Sequence, residues 1–130
     1  MPSFSDASRQ RLETCDPRLQ KIFNEVIKHV DCTVLCGTRS EEEQEEAFRT
    51  GKSKVHYPNS KHNSNPSLAV DVAPYPVDWN DLRSFIHFSG FVRGIASQMG
   101  INIRCGVDWN GNYSLKDENF LDAPHFELVD

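Results

Sequence analysis

In Leu68-Ala69-Val70-Asp71-Val72-Ala73 a carboxylate stands in the middle of an otherwise apolar run. The run is too short for an independent helix and is closed by Pro74 and Pro76, so it reads as a buried strand. A carboxylate in such a strand must be exposed or paired with charge. Asp71 therefore marks either an edge or a charged site, and the rest of the chain has to say which.

Two other stretches supply candidate partners. Ser60-Lys61-His62 lies in a polar loop upstream, and Asp122-Ala123-Pro124-His125-Phe126-Glu127-Leu128 leads into what reads as the last strand. Pairing of the two strands would set Asp71 beside His125, with His62 entering from the loop. Two imidazoles and a carboxylate match the donor set of a catalytic zinc centre, which uses three protein ligands and keeps one position open.

Asp122 precedes His125 by three residues and falls off the alternating register of His125 and Glu127. A carboxylate at that place can move a proton. Glu127 shares a face with His125 and is the rival for this task, or else a carboxylate that supports the histidine. Arg39, in Gly37-Thr38-Arg39-Ser40, can bind a substrate carboxylate or steady an oxyanion. The helix start slightly disfavours a cation there, which argues for a use at the site. His29 and His87 fall in predicted helices and His56 in a loop, where packing or exposure is the default. Trp79 and Trp109 read as core or rim aromatics.

The order of elements follows from capping and periodicity. Asp16-Pro17 starts a helix whose apolar stripe is Leu19, Ile22, Phe23, Val26, Ile27 and Val30. A strand from Cys32 to Cys36 follows, ending at Gly37. Ser40 and Glu43 form a capping box for a helix that runs to Thr50 and stops at Gly51. Lys52 to Ser67 is polar and loop-like, and Leu68 to Ala73 is the strand above. Asp78 or Asn80 is expected to cap a third helix closed by Gly100. Ile101 to Cys105 is a strand, Gly106 to Asp122 a long loop, and Pro124 to Val129 the last strand. Cys32 and Cys36, four apart on a strand, are expected to share a buried face.

At 130 residues the chain is expected to form a single domain, 1–130, with 1–16 as an N-terminal segment and no separate wall-binding domain. The net charge of −5 and the lack of a basic stripe argue against nucleic acid as a partner. The acidic run Glu41-Glu42-Glu43 with Glu45-Glu46 reads as a solvated helix face rather than a cation site. No apolar stretch has the length of a membrane span. The N-terminus shows neither an apolar nor a basic signal region, so synthesis in a cytoplasm is expected. The four cysteines lack a zinc-ribbon spacing.

Ser60-Lys61-His62, Ala69-Val70-Asp71 and Asp122-x-x-His125 together resemble the zinc D-Ala-D-Ala carboxypeptidase and L-alanyl-D-glutamate endopeptidase family, which includes VanY-like enzymes and phage endolysins. Gly37-Thr38-Arg39-Ser40 with Gln44, and Gly51-Lys52-Ser53, resemble further segments of that family. Phe91 to Ala96 and Gly106-Val107-Asp108-Trp109 resemble its endolysin members. The likeness covers residues 17 to 129. It implies a Hedgehog/DD-peptidase-like α+β fold with a mostly antiparallel sheet and flanking helices. It also implies zinc on His62, Asp71 and His125, Asp122 as general base, and Arg39 facing an oxyanion or a substrate carboxylate. Ser60 and Gln44 would serve the substrate, which in this family is the stem peptide of bacterial peptidoglycan. The implied protein is a monomeric endolysin kept in the host cytoplasm until lysis. A D-Ala-D-Ala carboxypeptidase and a non-catalytic zinc-bound recognition domain are the alternatives. Asn63 to Leu68 holds two more residues than the family's usual spacing and lacks its glycine. Such an insertion costs little closure entropy, and its expected effect is on the rim of the cleft.

Overall fold

The computed structural model describes residues 2–116 and 121–130. The expected loop Gly106–Asp122 thus lies partly outside the described residues. Helices α1 (Asp6–Glu13) and α2 (Pro17–Val26) lead into strand β1 (Cys32–Cys36), helix α3 (Glu41–Arg49) and a 3-10 turn (Lys61–Asn63). Strand β2 (Ala69–Pro74), helix α4 (Leu82–Gln98) and strands β3 (Ile103–Cys105) and β4 (His125–Leu128) complete the order. The strands form an antiparallel sheet in the order β1-β2-β4-β3. The α+β class with flanking helices is as expected from the sequence.

Strand alternation divides the sheet into an apolar face and a polar one. Val70 and Val72 of β2, with Phe126 and Leu128 of β4, enter the hydrophobic core together with Leu19, Ile22, Phe23 and Val26 of α2. Phe126 is fully buried and meets Phe23 edge-on at 5.3 Å and Phe88 of α4 at 6.1 Å between ring centroids. The intervening residues Asp71, His125 and Glu127 are buried as well, yet stand outside that cluster. They are the polar contents of the other face.

Helix α1 was not expected. Ser5 caps it by accepting from the Ser8 amide at 3.1 Å, and the helix buries only Ser8 and Leu12. Its task is at the sheet edge. Ser8 Oγ accepts from the Val34 amide at 3.0 Å, and Arg11 donates to the Val34 carbonyl at 3.0 Å. The open edge of β1 is thereby satisfied by side chains instead of a neighbouring strand. The cap of α4 also differs from expectation. Asp81 takes it, accepting from Ser84, while Asp78 and Asn80 form a turn just upstream.

Between His62 and Asp71, Asn63 donates to the Arg39 carbonyl and to Gln44, and Ser67 docks at the start of α2. Ser67 bridges to Cys15, its amide donating to Thr14 and its carbonyl accepting from Asp16 at 2.9 Å each. None of residues 63–68 lines the cleft described below. Ser67 thus ties the end of the longer spacing to the α1–α2 junction.

Candidate metal centre

Asp71 and His125 are direct partners in the β2–β4 register. Asp71 Oδ1 lies 3.3 Å from His125 Nδ1 and 3.2 Å from His62 Nε2. The far nitrogen of each ring is held separately. His62 Nδ1–H donates to the Gly37 carbonyl at 2.7 Å, and His125 Nε2–H donates to Glu127 Oε1 at 2.8 Å. These bonds hold the rings so that His62 Nε2 and His125 Nδ1 are the atoms that face Asp71. His62 reaches this place because Ser60 caps its turn, accepting from the His62 amide at 3.1 Å.

Charge accumulates on this face. Burial opposes ionisation of Asp71, but His62 and His125 outweigh it and hold the carboxyl well below its usual range. Burial likewise opposes a charged His62, yet the adjacent Asp71 lifts that imidazole to about 10. His125 is lifted to about 9 against burial by its bonds to Asp71 and Glu127. Asp122 behaves in the opposite way: burial, then the Asp71 charge, push its carboxyl up to about 6. Its Oδ2 stands 3.8 Å from His125 Nδ1, on the same side of the ring as Asp71.

Glu127 is on the other side. Besides His125 it pairs with Lys61 at 3.4 Å and Arg104 at 3.5 Å. That separation distinguishes the two carboxylates that the sequence left as rivals: Asp122 borders the ring atoms that face Asp71, and Glu127 braces a ring from behind.

Arg39 bridges the site to α3. Its guanidinium donates to Gln44 Oε1 at 3.0 Å and to Asp71 Oδ2 at 3.5 Å, and its amide donates to the His62 carbonyl at 2.8 Å. Gln44, expected to touch substrate, lines no part of the cleft. It is fully buried, and its amide group donates to Ser53 and Val55 while accepting from Arg39 and Asn63. Its place is behind Arg39, whose guanidinium it accepts from. Ser60 does line the cleft.

Three further features escaped sequence reasoning. Cys36, expected to be buried in the core with Cys32, follows a bulge between Val34 and Cys36 that breaks the strand's alternation. It comes to lie opposite Asp71, half-buried, with Sγ 3.9 Å from His62 Nδ1. Trp109 packs its ring 5.3 Å from that of His125. Gly106 admits Asp122: a Cβ on Gly106 would stand 2.0 Å from the Asp122 carbonyl oxygen. The glycine in Gly106-Val107-Asp108-Trp109 was the only hint of that contact.

Among the described residues two groups have ligand atoms within 4.8 Å of one another, Cys36–His62–Asp71 and Asp71–Asp122–His125. Asp71 belongs to both. Imidazole nitrogens with a carboxylate oxygen suit a divalent cation of the zinc type. Each expected donor also has the rear support that such sites use. The expected ligands His62 and His125 fall in separate groups that share Asp71, and that donor chemistry fits a metal.

The fold and this centre define a metallopeptidase of the DD-peptidase-like class. The sequence profile of the phage L-alanyl-D-glutamate peptidase family matches residues 2–129, and the chain belongs to that family. It is similar to the L-alanyl-D-glutamate peptidase of Escherichia phage T5, with 32% identity over 135 residues, covering 97% of each chain. It is also similar to the crystal structure of the Serratia marcescens L-Ala D-Glu endopeptidase ChiX. There the TM-score is 0.76 and the identity 27%, with 98% of this chain and 91% of that one covered.

Proposed function

We propose that this chain is a zinc peptidase that cleaves the L-alanyl-D-glutamate bond of the peptidoglycan stem peptide during phage-induced lysis. Membership of a phage peptidase family supports the substrate and the setting. The observation that carries the chemistry is Asp71 Oδ1 between His62 Nε2 and His125 Nδ1, at 3.2 and 3.3 Å.

His62, Asp71 and His125 would hold the zinc. Bound zinc supplies Lewis-acid polarisation of the scissile carbonyl and eases deprotonation of the attacking water. Asp122 is the general base: its carboxylate takes the proton of that water and then hands it to the leaving amine. Its place beside His125, with Oδ2 3.8 Å from Nδ1, supports both halves of that transfer. Arg39, held by Gln44, presents a guanidinium to the developing oxyanion. Ser60 orders the turn carrying His62, and Glu127 keeps His125 in the tautomer that frees Nδ1.

The site is built from one chain, which supports action as a monomer. Among the described residues no helix is long and apolar enough to cross a membrane. We place the enzyme in the host cytoplasm before lysis and at the wall afterwards, a reading that rests on its phage family. Digestion of purified peptidoglycan tests the assignment. New C-terminal L-Ala and N-terminal D-Glu are expected, and release of D-Ala with the L-Ala–D-Glu bond intact would replace it with a carboxypeptidase.

A further inference from the structure

The cleft over Asp71 and Asp122 has two unequal wings, of about 810 and about 300 Å³. Among the described residues only Arg39, Lys52 and Asp122 line both, so the wings meet above the reacting centre. Their chemistry differs. The larger is lined by Leu35, Ala47, Leu121 and Pro124, with the carboxylates Glu43 and Glu46, and carries Trp79, which is 62% exposed. The smaller is lined by Lys54 and Lys61 with Ser53 and Ser60, and by Glu127, which Lys61 pairs at 3.4 Å, while Lys52 stands where the two wings join.

Lys52 is placed there by a defined helix end. Its amide donates to the Ala47 carbonyl at 2.8 Å and that of Gly51 to Phe48 at 3.2 Å, with Gly51 at φ +83°. This is a Schellman motif, which turns the chain from α3 straight into the cleft. The neighbouring Ser53 is tied to the buried Gln44 at 2.9 Å. Arg39 and Lys61 are already committed, to Gln44 and Asp71 and to Glu127 respectively. Lys52 is exposed and lies within 4 Å of no carboxylate among the described residues, and its charge acts at longer range on Glu46 of the larger wing.

The substrate is electrically lopsided. Only one of the two carboxyl groups of D-Glu continues the peptide, so the other stands as a free carboxylate beside the scissile bond, on the leaving side. L-Ala offers a methyl group, and beyond it lies the glycan-linked end. We propose that Lys52 binds the free carboxylate of D-Glu in the smaller wing, while L-Ala and the glycan-linked end lie in the larger wing against Trp79. The cleft thus reads the direction of the stem peptide. This rests on the L-alanyl-D-glutamate reading above and adds its specificity-determining residue.

The zinc-loaded chain is assayed on a muramoyl stem peptide with free D-Glu carboxylate and on its counterpart in which that group is a carboxamide. Lys52→Met should lower kcat/KM on the free acid about tenfold, through KM, and leave the carboxamide within about twofold of wild type. Lys52→Arg should restore most of the loss. Trp79→Ala should raise KM for the muramoyl substrate and not for the same peptide beginning at L-Ala. Equal loss on acid and carboxamide, or no loss on either, overturns the role of Lys52. A Trp79→Ala effect that follows extension beyond D-Glu overturns the direction. Wild type that releases D-Ala and cuts neither test peptide overturns the substrate reading itself, and does so before any variant is measured.

Discussion

Asp71 and His125 stand opposite each other in the β2–β4 ladder, with His125 Nδ1 3.3 Å from Asp71 Oδ1. The ladder that pairs these strands also sets the distance between two metal-binding atoms, so folding of the sheet and assembly of the centre are one event. His125→Ala removes a donor and frees Glu127 from its ring, and is expected to abolish stoichiometric zinc binding. Glu127→Gln leaves all donors in place but weakens the support of His125, and should cost about 10–100-fold in zinc affinity. Competitive chelator titration distinguishes the two variants, and equal affinities would contradict the division of roles.

Asp122→Asn should keep the metal and lose hydrolysis. The side chain stays close in size but no longer accepts a proton, so a fall of about 10²–10⁴-fold in kcat is expected. Zinc content at wild-type level beside that loss identifies Asp122 as the base. Retained turnover would shift the task elsewhere.

Gly106→Ala tests the positioning of that base. The new methyl would meet the Asp122 carbonyl oxygen at 2.0 Å, a contact that backbone must relieve by moving. The Asp122 and His125 segments are both bonded to Gly106, through Asp122 N–H to its carbonyl and Gly106 N–H to the His125 carbonyl. The expected outcome is a kcat loss of at least about tenfold in a folded protein, since a misplacement of order 1 Å costs this much or more. An unchanged kcat would mean that the packing of Gly106 on Asp122 carries no catalytic weight.

The thiols should separate by position. Burial pushes Cys15, Cys32 and Cys105 each up to about 12, so these are protonated and inaccessible in the native protein. Cys36 lines the larger wing of the cleft. A bulky thiol reagent at about pH 8 should therefore label Cys36 ahead of the others and block hydrolysis. Cys36→Ser should remain active and escape that inhibition. Loss of activity on labelling in Cys36→Ser would place the sensitive thiol elsewhere.

Phe126 reports on the other face of the sheet. It is buried between Phe23 and Phe88, and Phe126→Ala should destabilise the fold by about 3–5 kcal/mol in denaturant unfolding. A cost below about 1 kcal/mol would show that the apolar face does not depend on this residue.

Period-two alternation made the pairing of Asp71 with His125 legible from sequence, because an apolar strand interrupted by one carboxylate has few ways to bury it. Pro17, the Ser40–Glu43 capping box and Gly51 marked their helices by local chemistry alone, and the structure carries each. Helix α1 escaped because its apolar stripe is nearly absent: it is held by Ser8 and Arg11 on the edge of β1, a tertiary fact. Cys36 escaped because one bulged residue reverses the face of everything after it, and a bulge leaves no periodic trace. Gln44 looked like a cleft residue by its place in a motif, whereas its four hydrogen bonds put it behind Arg39.

The most direct measurement is elemental analysis of the purified chain alongside identification of the termini from one peptidoglycan digestion, with His125→Ala run in parallel. The account predicts about one zinc per chain, new L-Ala C-termini and D-Glu N-termini, and loss of both metal and products in the variant. Full cleavage at L-Ala–D-Glu by the chelated, zinc-free chain would contradict it.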